Sequence, residues 1–227
     1  MTAFTDNVSG IGLLADPLRR EIYLYVCSQP AAVGRDETAD ALDIAHHKAK
    51  FHLDKLEEQG LLESEFARLT GRTGPGAGRP AKLYRRAPQE IAVSLPGREY
   101  ELAGKLMADA IAASAATGES VITALNRAAT EHGRAMGREA RASGADRAAV
   151  DIARAALTEH GYEPRDEGST VVLANCPFHS LASEHTEMVC GMNLALIDGL
   201  VDEVDPTGLR CSLEPADGRC CVVLHPA

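Results

Sequence analysis

An α+β fold is predicted for this 227-residue chain from three observations. Its first third alternates short helical periods with stretches punctuated by Gly and Pro. Residues 96–160 are almost wholly helical in pattern. The last part sets one amphipathic helix among short alternating strands, and it holds Cys176, Cys190, Cys211, Cys220 and Cys221, five of the six cysteines. An apolar content of 45% without Trp leaves a core of Ala, Leu, Val and Ile, and abundant Ala favours helix. The expected parts are residues 9–90, a helical region at 91–160 and a cysteine-rich domain at 161–227.

Residues 9–27 predict a helix, with Leu13, Leu14, Leu18, Ile22 and Val26 at helical spacing. Asp16-Pro17 is a start signal, Asp as cap and Pro at the first position. Cys27 falls within this apolar pattern and is assigned to the core. A short helix is expected over about 35–42, a tight turn at Asp43-Ile44, and a second helix over about 45–58 with Ala49, Leu53 and Leu56 inward. Gly60 ends it and Leu61-Leu62 enters a strand. Two short helices joined by a tight turn are helix-turn-helix anatomy. The second helix presents His46, His47, Lys48, Lys50 and His52, residues able to contact bases or phosphates in a major groove.

Residues 66–86 predict a hairpin with a Gly/Pro-rich tip. It carries Arg72, Arg79 and Lys82, suited to phosphate or minor-groove contact. Net charge is −10, yet residues 45–86 hold nine Lys/Arg against five Asp/Glu, while residues 91–227 hold eleven against twenty. A local basic face of this kind is compatible with double-stranded DNA as a partner.

The segments LADPLRREIYLYV, FHLDKLEEQGLL and GRPAKLYRRA resemble the winged helix-turn-helix of ArsR-type transcriptional regulators over about residues 10–90. They are most similar to the branch that includes the iron–sulfur repressors of Suf operons. The resemblance implies a homodimer on operator DNA, with the helical region 91–160 supplying the dimer interface. Tyr100, Ala103, Leu106, Met107 and Ile111 fall on one stripe of a helix there.

Farther on, residues 162–176 predict two short strands joined near Glu167-Gly168, and residues 184–203 a helix with Val189, Met192, Leu196 and Leu200 inward. LRCSLE and RCCVVL predict a hairpin about Asp217-Gly218, a strong turn signal. With an even loop, strand alternation puts Cys211 and Cys220 on one face and Cys221 on the other. Four thiolates suit a 4Fe-4S or 2Fe-2S iron–sulfur cluster, or zinc. Intervals of 13, 20 and 8 residues separate the four, unlike paired zinc knuckles. His179 and Cys221 remain alternates, since Cys176 and His179 form a zinc-like C-x2-H pair. This region also resembles the iron–sulfur branch in the order NCPF, helical VC, strand Cys, final Cys. That resemblance implies Cys176, Cys190, Cys211 and Cys220 as cluster ligands whose occupancy alters operator affinity.

The vicinal Cys220-Cys221 pair could serve a thiol-dependent oxidoreductase. No nucleotide-binding Gly-rich loop or C-x-x-C pair accompanies it, so no enzyme is expected. No apolar run approaches a membrane span and the N-terminus lacks a secretory pattern. A cytoplasmic chain with reduced thiols is expected.

Overall fold

The computed structural model describes residues 3–68, 80–144 and 146–226. The chain divides after Val93 into two compact units. The first begins with α1 (Ala3–Leu13) and α2 (Pro17–Ser28). The helix start expected at Asp16-Pro17 holds, and the lead before it belongs to a helix of its own. Pro17 lacks the N–H that would continue the first helix, and the Asp16 carboxylate accepts the Arg19 backbone N–H at 3.0 Å, capping the second.

After β1 (Val33–Gly34) come α3 (Arg35–Ala41) and α4 (His46–Glu58). The turn between them runs through Asp43, whose φ of 51° is left-handed. This is a conformation that Asp tolerates better than most residues. Ala49, Leu53 and Leu56 are buried as their spacing predicts. Gly60 at φ 71° then lets the Leu61 N–H reach back to the Leu56 carbonyl at 3.0 Å, closing the helix.

β2 (Leu62–Ala67) and β3 (Ala81–Arg86) pair antiparallel from Leu62↔Arg86 to Ala67↔Ala81. The first strand starts at Leu62, where Leu61-Leu62 was expected to enter it. β3 lies between β1 and β2. Ile22, Val26, Val33, Leu53, Leu56, Leu62 and Tyr84 make this unit's core. Each buried aliphatic side chain contributes roughly 1.5–3 kcal/mol relative to exposure.

The second unit contains α5 (Tyr100–Thr117), α6 (Val121–Ser143), α7 (Ala149–Glu159), β4 (Pro164–Glu167), β5 (Thr170–Leu173), α8 (His179–Glu184), α9 (Thr186–Val204), β6 (Leu209–Leu213) and β7 (Val222–Pro226). The strands form one antiparallel sheet in the order β4-β5-β7-β6. α6 and α9 are in backbone contact. A Cβ at Gly133 would lie 1.9 Å from the Leu196 carbonyl oxygen, and one at Gly199 would lie 2.3 Å from that of Thr130.

Leu106, Leu125, Leu157, Tyr162, Leu173, Phe178, Met192, Leu196, Val222 and Leu224 belong to one core. The boundary expected at 160–161 is therefore absent. α5, α6 and α7 bury their apolar faces together with α9 and the sheet. On α5 the buried stripe is Ala103, Leu106 and Ala110. Ile111 is 59% exposed, because it lies five residues from Leu106 and off that stripe.

The terminal hairpin also departs from expectation. Leu213 pairs with Val222 and Cys211 with Leu224, so residues 214–221 form the connection, longer than the one expected around Pro215-Ala216-Asp217-Gly218. Gly218 does adopt φ 75°. The connection is held from outside the hairpin, with the Cys220 N–H donating to the Leu173 carbonyl at 2.8 Å.

Candidate functional site

On α4, Phe51 and His47 lie opposite Ala49 and Leu53, with His46, Lys48 and Lys50 flanking them, all exposed. Phe51 is 55% exposed, an apolar side chain in the middle of a polar face. Charge-based reading passed over it. Its place half a turn from Ala49 was the available signal. His46 Nδ1 lies 2.8 Å from Asp36 Oδ1, and Lys50 Nζ donates to Asp54 Oδ2 at 2.6 Å.

His52 does not join this face. It is 8% exposed, and its Nδ1 accepts from Arg19 Nε at 3.3 Å. Burial, aided by Arg19 and Lys48, pushes its pKa down and keeps the ring neutral. Its place beside Leu53, one residue inside the buried arc, accounts for the miss.

Lys82 on β3 is also internally engaged. It donates to Glu57 and, at 3.3 Å, to Asp54. The Tyr84 hydroxyl donates to the same Asp54 carboxylate at 2.7 Å. Partial burial opposes ionisation of Asp54, but hydrogen bonds from Lys50, Tyr84 and Lys82 prevail and hold it at about 2. Lys82 thus braces the second strand of the hairpin against α4. Arg72 and Arg79 lie outside the described residues.

The thiols gather differently from the expected set. Cys176 follows β5, Cys190 lies in the first turns of α9, and Cys220 and Cys221 lie in the connection between β6 and β7. Cys220 acts on the ionisation of Cys176, and Cys221 on that of Cys190. The hydrogen bond from Cys220, a backbone N–H from Phe178 and the nearby Arg98 guanidinium overcome burial and hold Cys176 at about 7. Cys220 is correspondingly pushed up by its bond to Cys176 and by burial. Burial, then Cys221 and Cys176, push Cys190 up to about 12.

Burial and the charge of Asp198 push Cys211, on β6, up to about 12. His179 opens α8 with its side chain exposed, and it takes no part in the group.

Hydrogen bonds also fix the chain around the thiols. Asn175 Nδ2 donates to the Gly97 carbonyl at 3.0 Å and to that of Gly161 at 2.5 Å. Arg98 donates to Asn175 Oδ1 at 2.6 Å and to the Cys176 carbonyl at 3.3 Å. Tyr162 Oη donates to Asn193 Oδ1, and Asn193 Nδ2 donates to Cys220 Sγ at 3.2 Å. Arg98, Asn175 and Asn193 carried no spacing signal in the sequence. Among the described residues, no group of three or more His, Cys, Asp or Glu side chains is arranged to hold a metal ion. Arg98 and two N–H donors supply positive potential near Cys176 and Cys220.

A helix-turn-helix domain family model matches residues 14–65, from the end of α1 into β2. Together with the α3–turn–α4 geometry and the hairpin behind it, this defines the class: a helix-turn-helix domain, which supports a DNA-binding transcriptional regulator. Neither a curated protein nor a solved structure matches the chain. Among the described residues, no helix is long and apolar enough to cross a membrane.

Proposed function

We propose that this chain is a homodimeric winged-helix repressor whose operator affinity is set by an iron–sulfur cluster in its second unit. The observation that supports this reading is a helix-turn-helix on the same chain as Cys176, Cys190, Cys220 and Cys221, which stand on three segments of its second unit. His46, His47, Lys48, Lys50 and Phe51 contact operator DNA in the major groove. Phe51 offers an apolar surface to a thymine methyl and the lysines address guanine edges or phosphates. Arg72 and Arg79, in the Gly/Pro-rich sequence between β2 and β3, contact phosphates, and Lys82 positions α4. A two-fold dimer places its recognition helices about 34 Å apart, one turn of DNA.

Cys176, Cys190, Cys220 and Cys221 hold the cluster, which when bound supplies a charge and oxidation state that the bare thiols lack. Arg98 and the Phe178 N–H stabilise the Cys176 thiolate. Coupling of about 1–3 kcal/mol between the site and the DNA face gives a five- to 150-fold change in operator affinity.

The test is anaerobic purification of the full chain, with iron, sulfide and zinc counts and a visible spectrum. A coloured protein is expected, with the colour lost in Cys176→Ser and Cys221→Ser and kept in Cys211→Ser. Colourless protein with stoichiometric zinc overturns the cluster and favours a zinc-binding regulator on the same thiols. Operator duplex recovered from a random pool then measures affinity with and without the cluster. Equal affinities overturn the control.

A further inference from the structure

Asp54 falls on α4 one turn after Phe51 and two turns after His47, on the same outward arc of the helix. Ala49, Leu53 and Leu56 form the opposite, buried arc. At 1.5 Å per residue, the distance along the axis from His47 to Asp54 is about 10.5 Å, roughly three base-pair steps of duplex. The Asp54 side chain is 36% exposed. A carboxylate among the proposed DNA contacts calls for a reason, because it repels phosphate.

Three donors fix that carboxylate. Oδ1 accepts from Tyr84 Oη at 2.7 Å and from Lys82 Nζ at 3.3 Å, both on β3. Oδ2 accepts from Lys50 Nζ at 2.6 Å. A carboxylate has about four lone-pair sites. Tyr84 and Lys82 take the two on Oδ1, and Lys50 takes one of the two on Oδ2. Among the described residues no further donor reaches Asp54, so one acceptor site is left on Oδ2, beside Lys50. The Lys50 ammonium uses one of its three donors on this bond. The arc therefore presents a donor and an acceptor side by side. The hairpin holds the acceptor in one rotamer before DNA arrives, so little ordering entropy is lost on contact. The same bonds hold the carboxyl at about 2, which makes it an acceptor only at neutral pH.

We propose that Asp54 is a specificity-determining residue for DNA: its remaining acceptor site on Oδ2 takes the N4 amino group of a cytosine while Lys50 donates to the paired guanine. The inference rests on the DNA-binding reading of the preceding section and on nothing in the thiol site. In the major groove a G·C pair shows guanine N7 and O6, both acceptors, and then the cytosine N4 donor. That order matches a lysine followed by a carboxylate. An A·T pair shows its N6 donor next to thymine O4, so a carboxylate on N6 also faces an acceptor. A phosphate offers no donor, so Asp54 penalises seating on the backbone alone.

The experiment selects duplexes from a random pool with the full chain and with Asp54→Asn, each checked for folding by circular dichroism. The unaltered chain is expected to select a G·C pair that D54N exchanges for A·T, because an asparagine amide both donates to and accepts from adenine. Preference for G·C at that pair should fall by about tenfold. A second measurement leaves the protein unaltered, so it decides the matter if D54N fails to fold. Each cytosine of the selected duplex is replaced in turn by 2-pyrimidinone, which pairs with guanine but lacks the amino group. One such replacement should weaken binding by about tenfold. A folded D54N that selects the same sequence as the unaltered chain, or a duplex in which no cytosine amino group matters, overturns the role of Asp54 and leaves DNA binding intact. An unaltered chain that selects no sequence overturns the DNA-binding reading and the inference with it.

Discussion

Cys176 differs from its neighbours in what faces it. The Cys220 hydrogen bond, the Phe178 N–H and Arg98 favour its thiolate against the cost of burial. Cys190 and Cys211 have no such donors and sit near 12. Alkylation of the metal-free chain should therefore begin at Cys176. Its rate should rise as pH passes through about 7 and level off above, because the thiolate is the nucleophile. Mass mapping after brief iodoacetamide treatment at pH 8 checks this, and equal labelling of Cys176 and Cys211 would count against it.

His52 and Lys48 separate by the same reasoning. His52→Ala removes a buried side chain and strands the Arg19 bond, with an expected loss of about 1–3 kcal/mol in denaturant unfolding. Lys48→Ala should leave unfolding within about 0.5 kcal/mol, since its side chain faces solvent.

At the scale of elements, two contacts hold the parts in place. α4 is tied to β3 through Asp54, which receives Lys50, Lys82 and Tyr84. Its carboxyl is held at about 2, below its ordinary 3.8. A depressed folded value stabilises the folded state above about pH 4, and that contribution disappears as pH falls toward 2. Asp54 is partly exposed, so solvent screening makes the contribution modest. Asp54→Asn should lower stability at pH 7 and flatten the acid-unfolding curve between pH 4 and 2, as followed by circular dichroism.

The other contact is between α6 and α9, where Gly133 and Gly199 let one helix backbone meet the other. Gly199→Ala puts a methyl 2.3 Å from the Thr130 carbonyl oxygen. Separating the helices should cost about 1–3 kcal/mol, measured as a lower denaturant midpoint. An unchanged midpoint would mean that the helices separate freely. α9 also carries Cys190 and Asn193, so the same variant should loosen the thiol site.

For the whole molecule, charge is divided between the parts. The chain carries −10 overall, while α4 and the hairpin carry the excess of Lys and Arg. Acidic surface elsewhere repels DNA and keeps non-specific binding weak, so affinity should fall steeply with salt. Lys48→Ala should lower the log–log salt slope by roughly one for each phosphate that the lysine neutralises. His52→Ala should leave the slope unchanged where the protein is folded.

Much of the first unit was legible because its signals are local. Asp16-Pro17, the spacing of Ala49, Leu53 and Leu56, and Gly60 each act within one or two turns of chain, and each stands where the sequence put it. The strands and α9 of the second unit followed the same logic. The thiol set did not. Asp217-Gly218 pointed to a tight turn and strand parity to Cys220 with Cys211, but the ladder closes at Leu213↔Val222 and leaves both vicinal thiols in the connection. That connection is pinned by Leu173, far earlier in the chain. Turn chemistry and periodicity report energies between near neighbours. Which histidine is buried and where an asparagine donates depend on loops closing between distant segments, and those were settled only when the core packed.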